Sequence, residues 1–522
     1  MSSKRVFLPL ILLLGLSGCA SLPTGVERQT SSHTDRDQQP SRIASHAEPY
    51  LREHRGKSGF WLLGDGLDAF AARVLLAEAA DRTIDVQYYL YHDDITGRVL
   101  TNRLLRAADR GVRVRLLLDD MATKGIDSPL ATLDSHPNIE VRVVNPYANR
   151  GFRALETLAR FDTVTRRMHN KSFSVDNVIT VVGGRNIGDE YFGTHENVNF
   201  GDLDVLAVGP AAVEVGNQFD LYWNSKLAYP IHTLAGRPGD LDRLRRALKE
   251  YDQAQRHTPY AQRARESDMV QRFVSGTLSF QWGDALVFYD LPEKLVTDPE
   301  DRSTHLGPKA RPYTIGAVKR DLLLFSPYFV PGHQGVVMLT DLEDRGVRVR
   351  VLTNSLASTD VGVVHAGYAK YREPLLRGGV EIYEFKPDAE TAEKRRFTKI
   401  AGSSGASLHA KTFALDDEAL FVGSPNLDPR SGKLNTELGI LFQSEPLAKG
   451  VVDWFDENKA HIAYRVSLDR SHCDDQRECN ARLQWTDEQD GRRVVYLKDP
   501  ETGAPTRLLL SLIALLPIEG QL

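Results

Sequence analysis

Apolar and polar positions along this 522-residue chain follow two periods. Ile84–Tyr91 alternates with period two and reads as a strand, and the apolar run Leu322–Val330 answers to it further along. Between them run segments with apolar residues three and four apart, the spacing of helices packed along one stripe. Helix and strand patterns take turns from about Gly59 onward. That is the sequence form of an α/β fold, with mixed sheets flanked by crossover helices. His169–Val175, Ile179–Val182, His409–Leu415 and Ala419–Val422 are further predicted strands.

The pattern is written twice. Asp109-Arg110-Gly111-Val112-Arg113-Val114-Arg115 returns as Asp344-Arg345-Gly346-Val347-Arg348-Val349-Arg350. The stretch around His169 returns around His409, with the order of elements kept. Two similar halves are therefore expected, residues 51–265 and 266–522, facing each other across a pseudo-two-fold axis. In the charged stretch between them, Leu241, Leu244, Leu248 and Tyr251 share one helical face, which predicts a solvated helix packed by one stripe. Leu508–Leu516 is nearly all apolar but too short to span a bilayer, and reads first as a buried helix, with an interfacial segment as the alternative.

The first residues follow another logic. Lys4 and Arg5 precede the apolar run Val6–Leu16, the layout of an export signal over residues 1–18. Leu16-Ser17-Gly18-Cys19 resembles the lipobox of a bacterial lipoprotein. The resemblance implies that Cys19 becomes the lipid-modified first residue of a membrane-anchored protein facing the periplasm. An ordinary cleaved signal with an incidental Cys is the alternative. Ala20 in place of Asp leans, by the same resemblance, toward the outer membrane over the inner. Residues 19–50, rich in Ser, Thr, Gln, Asp and Pro, read as a flexible tether.

With 41% hydrophobic and 26% charged residues, the chain is neither disordered nor fibrous. There are 65 Lys and Arg against 70 Asp and Glu, and loss of residues 1–18 leaves 63 against 70. So acidic a balance argues against nucleic acid as a partner. Besides Cys19 there are only Cys473 and Cys479, which in an oxidising compartment can close a small disulfide loop or stand as free thiols.

The chemistry lies in a doubled motif. His169-Asn170-Lys171 is followed by Asp176, Gly183 and Asn186; His409-Ala410-Lys411 is followed by Asp416, Gly423 and Asn426. Each copy has Lys at +2 from His, Asp at +7, Gly at +14 and Asn at +17. On a strand, positions i and i+2 share a face, so each His and its Lys point into one space while Asp176 and Asp416 turn away as strand-end or supporting residues. Gly183 and Gly423 are places where backbone can approach a ligand. Two imidazoles, two ammonium groups and the amides of Asn186 and Asn426 suit a phosphodiester: the cations and amides hold its oxygens. One neutral His attacks phosphorus, and the other, protonated, serves the leaving alcohol. Asp202 and Glu437, each before an apolar strand-like run, are candidates to fix the two imidazole tautomers. No metal-binding spacing is found, so no metal or cofactor is expected.

This doubled His-Lys-Asp motif, in which Asp176 and Asp416 are counted with the His and Lys as catalytic candidates, resembles that of the phospholipase D superfamily, over nearly the whole folded body. Asp85-Val86-Gln87-Tyr88-Tyr89, Gly183-Gly184-Arg185-Asn186-Ile187-Gly188-Asp189, Ser326-Pro327-Tyr328-Phe329-Val330-Pro331 and Asn426-Leu427-Asp428-Pro429-Arg430-Ser431 look most like the bacterial cardiolipin synthases, and among them the C type. The resemblance implies that His169 is the nucleophile and His409 the acid/base, with Asp202 and Glu437 orienting the imidazoles, each across the halves. It implies phospholipid substrates in a bilayer, with phosphatidylglycerol as acceptor and phosphatidylethanolamine or a second phosphatidylglycerol as donor. The lipobox-like start departs from the synthases held by two transmembrane helices, which puts the membrane in doubt more than the chemistry. A hydrolase releasing phosphatidic acid and a non-catalytic envelope lipoprotein are the alternatives. The sequence does not name protein partners.

Overall fold

The computed structural model describes residues 21–34, 40–194, 200–234, 237–387, 407–469, 481–489, 492–514 and 519–521. The signal segment, Cys19, Cys473 and Cys479 lie outside the described residues.

Two sheets carry the fold, and their strand orders match. The first runs Gln281–Gly283, Ser58–Leu63, Asp204–Val208, Ile179–Gly183, Ser172–Val175, Thr83–Tyr88, Arg113–Asp119, Ile139–Val144 and Ala228–Pro230. The second runs Ala285–Tyr289, Leu438–Gln443, Ala419–Gly423, Thr412–Leu415, Asp321–Phe325, Arg348–Asn354, Glu381–Phe385 and Ala463–Asp469, extended by Arg482–Gln489 and Arg492–Tyr496. In each sheet three central strands are parallel and are joined by helices, as in Ile95–Asp109 and Gly332–Asp344. The neighbouring pairs named by the motif are antiparallel. Both sheets are thus mixed, as the repeat predicts.

A buried apolar cluster joins the halves. It takes Phe60, Val182, Leu203 and Val205 from the first and Phe325, Val422, Leu438 and Phe442 from the second. The Phe60 and Phe442 rings stack with centroids 4.2 Å apart. Dispersion and area burial at this seam hold the two motif copies in one frame.

Four expectations are corrected. The boundary is not at 265/266: Gln281–Gly283 pairs with Ser58–Phe60, and Ala285 begins the second sheet, so the crossing is at Asp284. The charged helices up to Ser275 belong to the first half, because Leu248 and Met269 reach its core while the polar faces stay in water. The stripe on Leu241–Gln255 packs as predicted, with Leu241 and Leu244 against the same core.

Second, much of the 19–50 tether is seated. The Arg28 side chain donates to the Ala228 and Lys226 carbonyls, and Arg115 and Arg142 reach out to the Ser31 and Gln29 carbonyls. His33 is buried, with Nδ1 2.6 Å from Asp220 Oδ2. Arg42–Glu53 is a helix, N-capped by Ser41. Polar composition hid this: residues 28–33 dock by hydrogen bonds, and the helix adds Ile43 against the first core.

Third, four predicted strands are shorter. Thr83–Tyr88 stops before Tyr91 and Asp321–Phe325 before Val330, where Pro327 has no N–H to continue the ladder, and the two motif strands begin only at Ser172 and Thr412. Fourth, Ala504–Ile513 is a helix without a buried residue, so the apolar C-terminus is not a core helix.

Candidate active site

The His-x-Lys segments leave their own sheets before the strands begin. Ordered strands start only at Ser172 and Thr412, three residues after each His. The preceding backbone pairs with the opposite half instead. His169 N donates to the Thr436 carbonyl at 2.9 Å, and His409 N to the Gly201 carbonyl at 2.6 Å. Ser407–Leu408 and Phe200–Gly201 form a two-stranded parallel ribbon, and Met168 makes the equivalent bridge to Thr436.

That crossing delivers the carboxylates. Thr436 is followed by Glu437 and Gly201 by Asp202. His169 Nδ1 lies 2.9 Å from Glu437 Oε2, and His409 Nδ1 lies 2.6 Å from Asp202 Oδ2. Each imidazole is therefore tied through Nδ1 to the other half, which leaves Nε2 as the nitrogen for chemistry. The two pairs are reciprocal, as a pseudo-two-fold axis requires. Each lysine turns back on its own copy: Lys171 Nζ donates to the His169 carbonyl at 2.7 Å and Lys411 Nζ to the His409 carbonyl at 2.6 Å. Tyr89 stands edge-on to His169, and Tyr191 and Phe200 flank His409, with ring centroids 5.1–5.2 Å away.

The two carboxylates are not alike. Asp202 accepts from Leu203 N, and a Cβ on Gly184 would come within 2.3 Å of its Oδ1. The matching position of the second copy is Ser424, whose hydroxyl donates to Glu437; Ser431 donates to the other oxygen at 2.7 Å. Burial raises the Glu437 carboxyl to about 7 in spite of Lys171 and these hydroxyls. Burial works on Asp202 too, but His409, Lys411 and Arg185 overcome it and hold that carboxyl below its ordinary value. Burial, then the charges of Lys171, Lys411, His409 and Arg430, push His169 well below the usual imidazole range. His409 is lowered by burial and Lys411, with Asp202 opposing. Burial brings Lys411 down to about 8 and takes Lys171 well below the ordinary ammonium range. His169 thus feels the cations of both halves, and the site is one basic, desolvated space.

The other expected residues fall in different places. Asp176 accepts from the amides of Asp81, Arg82 and Thr83, and Asp416 from those of Lys319, Arg320 and Asp321. Both sit in the left-handed region, with φ of 53° and 56°, at the far end of their strands. They fix the start of the neighbouring strand, and their grouping with the catalytic set is corrected. Asn186 is anchored within the protein: its amide donates to Tyr191 Oη at 2.9 Å and its oxygen accepts from Leu90 N. Through one of its two amide hydrogens it holds Tyr191 beside His409. The Asn426 Oδ1 is buried without a partner among the described residues. Gly183 and Gly423 serve strand packing and not ligand approach, since a Cβ would strike Asp204 or the Leu438 carbonyl.

Ser424, Ser431, Tyr89, Tyr191 and Arg430 escaped the sequence reading as site residues. All lie within runs quoted from it or beside them, but no copy in the first half marks the serines. Among the described residues His92, Asp94 and Glu190 lie close enough to share a cation. The Asp94 oxygens are already used by Gly97 N and Asp189 N, so this is a helix-capping cluster first.

Comparison with known proteins finds the same division into two halves. The family described as cardiolipin synthase, PLD-like domain, matches residues 74–223 and 314–459, one match for each half. Cardiolipin synthase C of Escherichia coli (strain K12) is 42% identical over 480 residues, covering 92% of this chain and 99% of that protein. Cardiolipin synthase A of Pseudomonas syringae pv. syringae (strain B728a) is 26% identical, covering 79% and 70%. The crystal structure of phosphatidylserine synthase from Haemophilus influenzae Rd KW20 shares the fold, with a TM-score of 0.56 at 12% identity, over 92% of this chain and all of that one. With a match in each half and a relative this similar over nearly its whole length, the chain belongs to the PLD-like cardiolipin synthase family of phosphatidyltransferases.

Proposed function

We propose that the protein makes cardiolipin by phosphatidyl transfer through a phosphohistidine on His169. The observation that carries the reading is the pair of reciprocal His–carboxylate contacts across the halves, closed around two lysines. The neutral His169 offers its Nε2 lone pair to the donor's phosphorus. The bond to the headgroup oxygen breaks, and that oxygen takes the Nε2 proton of His409, whose charge Asp202 balances. The ammonium groups of Lys171 and Lys411 face the non-bridging oxygens and the added charge of the five-coordinate state. His409, now neutral, takes the proton of the primary hydroxyl of phosphatidylglycerol. That oxygen attacks phosphorus, and the P–N bond breaks to restore His169. The donor is phosphatidylethanolamine or a second phosphatidylglycerol, releasing ethanolamine or glycerol. The lipid anchor on Cys19 keeps the enzyme at the membrane that holds these lipids.

Purified protein incubated with phosphatidylglycerol, with and without phosphatidylethanolamine, tests this by mass spectrometry. Cardiolipin is the expected product. Phosphatidic acid alone would assign a hydrolase, and unchanged lipid a binding protein. A gain in cardiolipin on adding phosphatidylethanolamine, with free ethanolamine, identifies the donor.

The lysines make a separate expectation. Lys411 titrates at about 8, and only its ammonium form attracts phosphate. Tungstate, a tetrahedral oxyanion of constant charge above neutral pH, should therefore inhibit well below pH 8 and progressively less above it. An inhibition constant flat from pH 7 to 9.5 would remove Lys411 from the phosphate site.

A further inference from the structure

The helix Ala504–Ile513 leaves an apolar face open. Leu508, Leu509 and Leu512 are 64%, 58% and 57% exposed. Large aliphatic side chains grouped in water on one element mark an interaction surface. The position of this helix says which one. Leu510 rests on Gly362, where a Cβ would lie 3.4 Å from Leu510 Cδ2. Two residues earlier, Asp360 accepts from Tyr328 Oη, and its charge reaches Lys411. Past the helix, the turn Glu519–Gln521 is fastened at the same place. Glu519 pairs with Lys370 and accepts from Tyr371, and the Gln521 carbonyl accepts from Arg430 at 3.0 Å. Arg430 also donates to the Thr165 carbonyl of the first half, and it is among the charges that depress His169. The C-terminal segment therefore borders the catalytic cleft.

The first half adds to that rim. Phe161 opens the short helix that ends just before Thr165, and Phe152 precedes the helix before it; both are exposed. The arginines beside them are already partnered: Arg160 pairs with Glu156, and Arg150, Arg153 and Arg167 pair with Asp120, Asp127 and Asp119 inside the fold, so it is the two rings that face out. Exposed phenylalanines and leucines at the mouth of a cleft that takes phospholipids complement the interfacial layer of a bilayer.

We propose that this rim, with Ala504–Ile513 as its main element, seats in the interfacial layer of a bilayer containing phosphatidylglycerol. The cleft then opens onto the headgroups, and substrates enter without leaving the membrane. No described helix is long and apolar enough to cross a membrane. Ten residues of helix make about 15 Å, half of a hydrocarbon core of about 30 Å, so this one lies along the surface. The proposal rests on the phospholipid reading above, and its test separates the two.

A Leu509→Trp reporter in the full chain, with the parent chain as baseline, is mixed with phosphatidylglycerol–phosphatidylethanolamine vesicles. The added emission should shift to the blue and be quenched about twofold or more by brominated acyl chains. Unchanged emission while the protein sediments with the vesicles overturns the proposal, whatever the enzyme does. The variant L508Q/L509Q/L512Q should convert vesicular phosphatidylglycerol about tenfold more slowly, yet turn over a monomeric short-chain analogue within about twofold of the parent. All three leucines are solvent-facing, so the fold should tolerate them. If the variant instead turns a dimer into a monomer, the face belongs to a second copy and the proposal fails. Normal reporter insertion in a protein that converts neither substrate sinks the catalytic reading and leaves the docking surface standing.

Discussion

His169→Ala should lower cardiolipin formation by roughly 10⁴-fold or more, since it removes the atom that bonds to phosphorus. The side chain is nearly buried and makes one polar contact, to Glu437, so the loss is one of chemistry before it is one of folding. The complementary experiment keeps the nucleophile and disables the proton carrier. His409→Asn, given a donor whose leaving group needs no proton, should form the phosphohistidine and fail to discharge it. Intact-mass spectrometry should then find one phosphatidyl group per chain, lost on adding the His169 substitution. A covalent adduct on His409 in the wild-type enzyme would exchange the two roles. The asymmetry of the carboxylates is the reason to expect the order given: the imidazole beside an ionised Asp202 is the better place to hold a proton.

The same asymmetry sets the second large effect. Asp202→Asn should cost about 10²–10⁴ in kcat, and Glu437→Gln about 10–100-fold. Asp202 is the group that lifts His409 against burial and Lys411. Without its charge the folded pKa of His409 falls further. The protonated form needed for the leaving group is then lost at lower pH, and the alkaline limb of kcat moves toward acid. Glu437, raised to about 7, carries only part of a charge near neutrality, and a Gln oxygen can still accept from His169 Nδ1. Rate–pH profiles of the two variants check this. A larger loss in Glu437→Gln, or an unmoved limb in Asp202→Asn, would contradict it.

Much of the architecture was readable before any coordinates. The period-two runs and the repeated Asp-Arg-Gly-Val-Arg-Val-Arg segment announce two mixed sheets, and the strand orders agree. Thr83–Tyr88 shows its period because Ile84, Val86 and Tyr88 enter the apolar core while Asp85 on the other face is bound by Arg115. His169, Lys171, His409 and Lys411 were equally legible, because a doubled spacing with the same downstream residues is a local fact. Glu437 and Asp202 were legible as types and as positions. Ser424 was not, because its counterpart is Gly184: the two copies solve the support of a carboxylate differently, one by a hydroxyl and one by close approach.

What the sequence determined by itself is the doubled His-x-Lys pattern and the elements that hold it. Tertiary structure alone decided what each one touches. The hydrogen bonds that bind His169 to Glu437 and His409 to Asp202 join residues 268 and 207 positions apart. So does the choice of Asp176 and Asp416 to cap distant strand starts, of residues 28–33 to lie against the first half, and of the last helix to leave its leucines open. Local pattern reports that a surface seeks cover or a polar group seeks a partner. Which partner arrives depends on how the chain closes on itself, and that is written in no window of sequence short enough to read.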